Sequence, residues 1–253
     1  KTEDEVNEVK SNKIVLMQNK KRNGLNPVQN QILENTNSDI LVILNGDILP
    51  IGNSFLINLI KPFYSNYNIG IVGAKVKSLS SNTFVSKALA NSSDLKELIA
   101  QKINHSDNVY LCHGQARAFS KAFYTKLKWP YDCPEDSYSY FRCLEEGFEF
   151  IYSKDAVVNF SMATNLQDHI KQSKRFSNGQ KVLERYFDPE KIKESYYMPL
   201  PISFYYLFSF VLRKPFLTIG YIFILFYIRV FAKNTNIDHS KIEPSKGSKN
   251  LSL

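Results

Sequence analysis

This sequence lacks the marks of several protein classes. Its three cysteines, Cys112, Cys133 and Cys143, are odd in number and show no C-x-x-C spacing. That leaves neither a disulfide scaffold nor a cysteine zinc site and fits a reducing compartment. No segment recurs at a fixed period, which excludes a solenoid or a propeller. Negative charge is the scarcer sign: 24 Asp and Glu stand against 32 Lys and Arg, for a formal net charge of +8. The excess gathers in Lys20-Lys21-Arg22, residues 171–175, Arg213-Lys214 and the tail, not in a basic stripe with interleaved aromatics. Nucleic acid is therefore not the expected partner, and an anionic substrate or lipid surface accounts for the charge.

What is present is core-forming material, 43% hydrophobic over 253 residues, enough for one α/β domain with an appendage or for two small domains. The chain is organised around residues 38–50, SDILVILNGDILP. Five apolar residues from Ile40 suit a strand covered on both faces. The polar Asn45-Gly46-Asp47 then falls at its carboxyl end, where open parallel sheets bind ligands. Asn-Gly between apolar residues is also a hairpin signal, with Ile48 to Ile51 as return strand and Pro50 removing a ladder donor from it.

Around this stretch the patterns alternate. Residues 13–18 (KIVLMQ) read as a short buried strand and Asn23-Gly24 as a turn. Pro27 opens a helix through Glu34. Asn53 or Ser54 caps a second helix, with Phe55, Leu56, Leu59, Ile60 and Phe63 at helical spacing. Residues 69–76 (IGIVGAKV) form another strand. This β-α-β-α-β order predicts an α/β fold with a mostly parallel sheet flanked by helices. Residues 77–107 read as a polar insertion with one helix near 94–103, residues 109–112 as a strand ending at His113-Gly114, and residues 115–127 as a helix. Glu135-Asp136 starts a further helix that closes at Gly147. Strand-like 148–153 and 156–160 precede a long basic helix over 168–187.

Residues 196–233 change character. Two apolar, aromatic runs, 202–212 and 216–232, are separated by Arg213-Lys214-Pro215. The longer has about 17 residues where a bilayer span needs about 20. The pair is thus expected to lie in or dip into a membrane interface, with a true span by 216–232 or core helices as alternatives. Residues 234–253 are a polar tail expected to be disordered. The division is a domain over 1–195, membrane-interacting helices over 196–233, and the tail.

Three short motifs stand in order along the domain: Asn45-Gly46-Asp47, Glu135-Asp136 at a helix start, and Gln172-Ser173-Lys174-Arg175-Phe176. They resemble the D-x-D, E-D and Q-x-x-R-W signatures of family 2 glycosyltransferases over residues 13–185, and the aromatic C-terminal helices are similar to those of membrane-associated members. The resemblance implies a GT-A fold whose first strands would precede residue 13, so that 1–195 is an N-terminally incomplete catalytic domain. It implies a hexosyltransferase-like enzyme at the cytoplasmic face of the cell membrane. Such an enzyme moves a sugar, with inversion, from a nucleotide-diphosphate donor to a hydroxyl of a lipid-linked or polysaccharide acceptor. On this resemblance Asp136 is the general base. Asn45, Asp47, Gln172 and Arg175 contact the donor, and Asp47 holds Mg2+ or Mn2+. His113, Gly114, Glu135 and Phe176 lie on the acceptor side. Asn45 stands where the family has an aspartate, which weakens the metal site, and Phe176 where it has tryptophan, which loses an indole N–H. Asn23, Gly24 and Asn26 resemble the family's loop beside the nucleotide.

The chemistry asks for the same residue types. A departing diphosphate gathers negative charge that a divalent cation or fixed positive groups must meet. A hard oxygen ligand such as Asp47 and a bidentate guanidinium such as Arg175, with Gln172 on the same helical face, supply that need. Asp136, at a helix N-terminus that favours a carboxylate, can take the acceptor's proton. Each has a plainer reading: Pro-Glu-Asp as ordinary capping, the basic helix face as solvated, His113 and Arg117 as satisfied structural side chains, and Trp129 and Tyr131 as core packing instead of a sugar platform. Two rival functions keep the fold: a catalytically weak, membrane-tethered binding module, and a sugar nucleotidyltransferase.

Overall fold

The computed structural model describes residues 4, 6, 8, 9, 11–19, 21 and 23–231. The tail at 234–253 and most of the charged opening segment lie outside the described residues. Five strands form one sheet: β1 (Ile40–Leu44), β2 (Ile48–Pro50), β3 (Ile69–Leu79), β4 (Ala116–Ser120) and β5 (Glu149–Ser161), in the order β1-β4-β3-β5-β2. Only β3 and β5 pair in parallel; β1 with β4, β3 with β4 and β2 with β5 are antiparallel. The sheet is mixed, which corrects the expectation of a mostly parallel one.

The cause is local. Residues 115–127 are not one helix but β4 followed by a one-turn helix, Lys121–Tyr124. Ala116 and Ala118 face one core cluster and Phe119 the other, a period of two written in residues that favour helices in isolation. Inserted between β1 and β3, this strand removes the parallel pair that the alternation implied. The 109–112 strand is likewise replaced by a 3₁₀ turn, Val109–Leu111. Residues 13–18 form no strand: Val15 is 82% exposed, and the run finds no ladder partner among the described residues.

The hairpin reading fails in an informative way. The return strand exists as β2, but Ile48 pairs with Phe160 of β5 at the opposite edge from β1. Pro50 sits where an edge strand tolerates it. Asn45-Gly46-Asp47 is therefore a connection over the end of the sheet. β1 is covered on both sides, with Ile43 and Leu41 in one cluster and Ile40 and Val42 against the other, although Leu44 is exposed. The two strands read at 148–153 and 156–160 are one, β5, which shifts register against β3 between Ala74 and Lys75.

The helices are α1 (Leu25–Glu34), α2 (Phe55–Ile60), α3 (Phe84–Ala100), α4 (Glu135–Glu145), α5 (Leu166–Leu183), α6 (Pro189–Ser195), α7 (Leu200–Arg213) and α8 (Pro215–Phe231). α3 starts ten residues before the helix expected within 77–107, at a Thr83 cap whose hydroxyl accepts from the Ser86 N–H. α4 ends as expected at Gly147, whose φ of +77 a side chain rarely adopts.

α7 and α8 pack one face on α3. Ala88 and Leu89 meet Tyr221 and Ile224, and Leu95 and Ile99 meet Phe210. A buried polar tie fixes them: Asn91 Nδ2 donates to Thr218 Oγ1 at 3.1 Å, and Thr218 donates to the Phe210 carbonyl at 3.1 Å. Thr218→Val leaves the Asn91 amide buried and unpaired, so chemical denaturation should show a loss of about 1–3 kcal/mol. A stability within a few tenths of wild type would show that the tie is replaceable. The outer faces are uncovered: Phe204, Phe208 and Leu212 on α7, and Phe216, Ile219, Phe223, Phe226 and Val230 on α8. Among the described residues no helix is long and apolar enough to cross a membrane, and the bare outer faces correct the reading of the pair as fully buried core helices.

Candidate active site

The site begins where β1 runs out. The ladder continues for one residue past Leu44, because the Asn45 N–H donates to the Gln115 carbonyl at 2.9 Å. This sets Asn45-Gly46-Asp47 beside His113-Gly114-Gln115, the segment that leads into β4. Gly46 faces open space, and Asp47 is half-buried.

The same segment meets the acidic turn. A Cβ at the buried Gly114 would lie 2.5 Å from Glu135 Oε1, so the absence of a side chain there is what admits the Glu135 carboxyl. The first turn of α4 is held from behind. Trp129 Nε1 donates to the Glu135 carbonyl and to Ser139 Oγ, both at 2.9 Å, and Arg117 Nη1 donates to the same two acceptors at 3.2 and 3.0 Å. The 129–134 loop ahead of it is tied to α1, since Asn26 Nδ2 donates to the Pro130 and Cys133 carbonyls and Asn30 brackets the Trp129 backbone.

Asp136 Oδ1 accepts from the Ser137 N–H at 2.7 Å and from the Ser137 hydroxyl at 3.3 Å. Ser137 in turn accepts from the Tyr196 hydroxyl at 2.9 Å, and Tyr110 donates to the Tyr196 carbonyl at 2.7 Å. One oxygen of Asp136 is thus anchored, and the other makes no hydrogen bond among the described residues. Burial raises the Glu135 carboxyl above its ordinary range and the adjoining Asp136 adds to this, while Arg117, a backbone N–H and Arg175 pull it back. Burial likewise pushes the Cys112 thiol up to about 12 and lowers His113. Both shifts favour the uncharged forms.

α5 closes the site from the other side. Gly179 packs against the Pro134 ring, and Phe176 meets the Tyr196 ring edge-on at 5.9 Å. Arg175 is exposed and near enough to Glu135 to act on its charge. Gln172, half-buried, is three residues earlier on the helix.

The structure therefore gathers His113, Gly114, Glu135, Asp136, Arg175 and Phe176, and joins Asn45 to them through Gln115, with Asp47 two residues further along the same loop. It does not make a sugar platform of Trp129, which is buried edge-on to Phe119. Nor does it leave Asn26 for a nucleotide, because its amide is occupied by the 129–134 loop. Sequence reasoning passed over Ser137, Ser139, Tyr110 and Tyr196 and left Arg117 among the structural candidates. No local signal marked Arg117, because a charge alternating with alanines reads as an outward strand position. Among the described residues no group of three or more His, Cys, Asp or Glu is arranged to hold a metal.

No family model and no curated protein matches the chain. A solved structure does: the mannosyltransferase PcManGT from Pyrobaculum calidifontis in complex with GDP-Man and Mn2+, at a TM-score of 0.54 and 16% sequence identity, covering 87% of this chain and 70% of that one. At this identity the likeness is one of fold. It bears on the fold expected from the motifs and on nothing finer.

Proposed function

We propose that this protein transfers a sugar from a nucleotide-diphosphate donor to an acceptor hydroxyl, as a family 2 type glycosyltransferase with inversion at the anomeric carbon. The observation that carries the reading is the junction at Gly114. There the acidic turn of α4 and the loop beside Asn45-Gly46-Asp47 meet at the carboxyl end of β1. The free oxygen of Asp136 takes the proton of the acceptor hydroxyl while the acceptor oxygen bonds to the anomeric carbon and the bond to the diphosphate breaks. The anchored oxygen keeps the carboxylate aimed. Arg175 and Gln172 meet the charge of the departing diphosphate.

The donor set suits Mg2+ or Mn2+ held in the substrate's company. Asp47 offers one carboxylate and Asn45 a neutral amide, which fits an ion whose shell is completed by the phosphates and does not fit a cage made by protein alone. When bound there, the ion would neutralise charge on the diphosphate. Support comes from the neighbour whose description names GDP-Man and Mn2+. Calorimetry of nucleoside diphosphates with and without Mn2+ is the test. Asp47→Ala should weaken metal-dependent binding by about tenfold or more, whereas unchanged binding would remove Asp47 from the metal. Released nucleoside diphosphate is the expected product; pyrophosphate would make the protein a nucleotidyltransferase.

In this reading the enzyme works at the cytoplasmic face of a membrane on a lipid-linked or polysaccharide acceptor, and the uncovered apolar faces of α7 and α8 support it.

A further inference from the structure

Arg117 stands at the second position of β4, wholly buried. Its Nη1 is used by Glu135 and Ser139, but Nε and Nη2 have no hydrogen-bond partner. Its guanidinium carbon lies 5.4 Å from the Phe119 ring centroid, and no carboxylate among the described residues forms a direct ion pair with it. A guanidinium remains charged at any ordinary pH, so a whole positive charge sits behind the sheet end. A buried charge calls for an anion nearby.

The charged and titratable groups around the acidic turn can be named element by element. α4 gives Glu135 and Asp136; the loop before β4 gives Cys112 and His113, with Asp107 further back accepting from Tyr140; the 129–134 loop gives Cys133; α5 gives Arg175; and Tyr196 follows α6. Of the two cations, Arg175 is exposed and screened by water, while Arg117 is fixed and dry. The adjoining carboxylates repel each other and are partly buried, an arrangement that favours protonating one of them.

We infer that Arg117 is a positioning residue for the acidic turn: it fixes the first turn of α4 from behind and sets a buried positive charge against the Glu135–Asp136 pair. Only the identification of Asp136 as the base rests on the proposed function.

The sign of the test follows from Glu135. Its carboxyl in the folded protein lies above its ordinary value of 4.5. A group raised in this way contributes stability below that value and loses it as pH rises through the folded value. Removing Arg117 removes an opposing influence, so the loss should grow and extend to higher pH. The thermal midpoint of Arg117→Gln is therefore followed from about pH 5 to 8, a window that begins above the ordinary glutamate value. Its midpoint should fall across that window by about 3 °C more than wild type for each tenfold weakening of Glu135 as an acid. Arg117→Lys, which keeps the charge, should restore the wild-type slope, and adding Glu135→Gln to Arg117→Gln should abolish the extra slope. Equal slopes in Arg117→Gln and wild type would overturn the assignment, as would an extra slope that survives Glu135→Gln. Failure of both the Gln and Lys variants to fold would reduce Arg117 to a core hydrogen-bonding residue and overturn it too. None of these readouts uses catalysis, so an inactive wild type would defeat the transfer reading and leave this one standing.

Discussion

Asp136→Asn is expected to abolish sugar transfer while leaving donor binding nearly intact. The amide is close in shape to the carboxylate, and its oxygen can still accept from the Ser137 N–H and hydroxyl. What it loses is the ability to take a proton on the oxygen that makes no hydrogen bond. General base catalysis contributes about 10²–10⁴-fold, so turnover should fall by that order while calorimetry with a nucleoside diphosphate changes little. Equal losses in turnover and donor affinity would count against the base assignment and make Asp136 part of the donor site. Full activity would end it. Glu135 is a poorer candidate for the base, because its carboxyl is packed against Gly114 and burial favours its protonated form.

The second large effect is expected at the membrane surface. Phe208 and Phe223 are 66% and 69% exposed and lie on the outer faces of α7 and α8, away from the contacts with α3. Phe208→Asp combined with Phe223→Asp should leave the fold unchanged and release the protein from vesicles rich in anionic phosphatidylglycerol. Burying one phenylalanine side chain is worth about 1.5–3 kcal/mol, so the pair should lower partitioning by about 10²-fold or more in a sedimentation assay. Replacing Arg213 and Lys214 by Gln should act more weakly, by about 1 kcal/mol per charge, and the contribution should fade as salt rises. Wild-type protein that stays in the supernatant, or a double variant that still pellets, would refute docking by this face. Helices with one face on the protein and the other bare fit a pair lying in the plane of the interface.

The parts of the fold legible in the sequence were those written in nearest-neighbour chemistry. The start of α4 at Glu135, its stop at Gly147, the apolar run of β1 and the changed composition of the last sixty residues follow from spacing, from positive φ and from hydrophobicity, which need no distant partner. The order of the three motifs is likewise a property of the chain alone, and it led to the expectation of this fold. β4 was not legible. The segment A-R-A-F-S and the Lys121–Tyr124 turn after it are built of residues with fair helix propensity, and only a slot between β1 and β3 makes a strand the better state.

From that one placement comes most of what the tertiary structure decided. A strand in the slot turns the sheet from parallel to mixed, bonds Gln115 to Asn45, and carries a guanidinium inward to the acidic turn. The sequence by itself determined which carboxylates are available and in what order. Which of them meet, which oxygen of Asp136 is anchored, and what charge faces Glu135 are set by pairings across 18 to 70 residues. Those pairings draw their energy from burial and from ladder hydrogen bonds that no local pattern encodes.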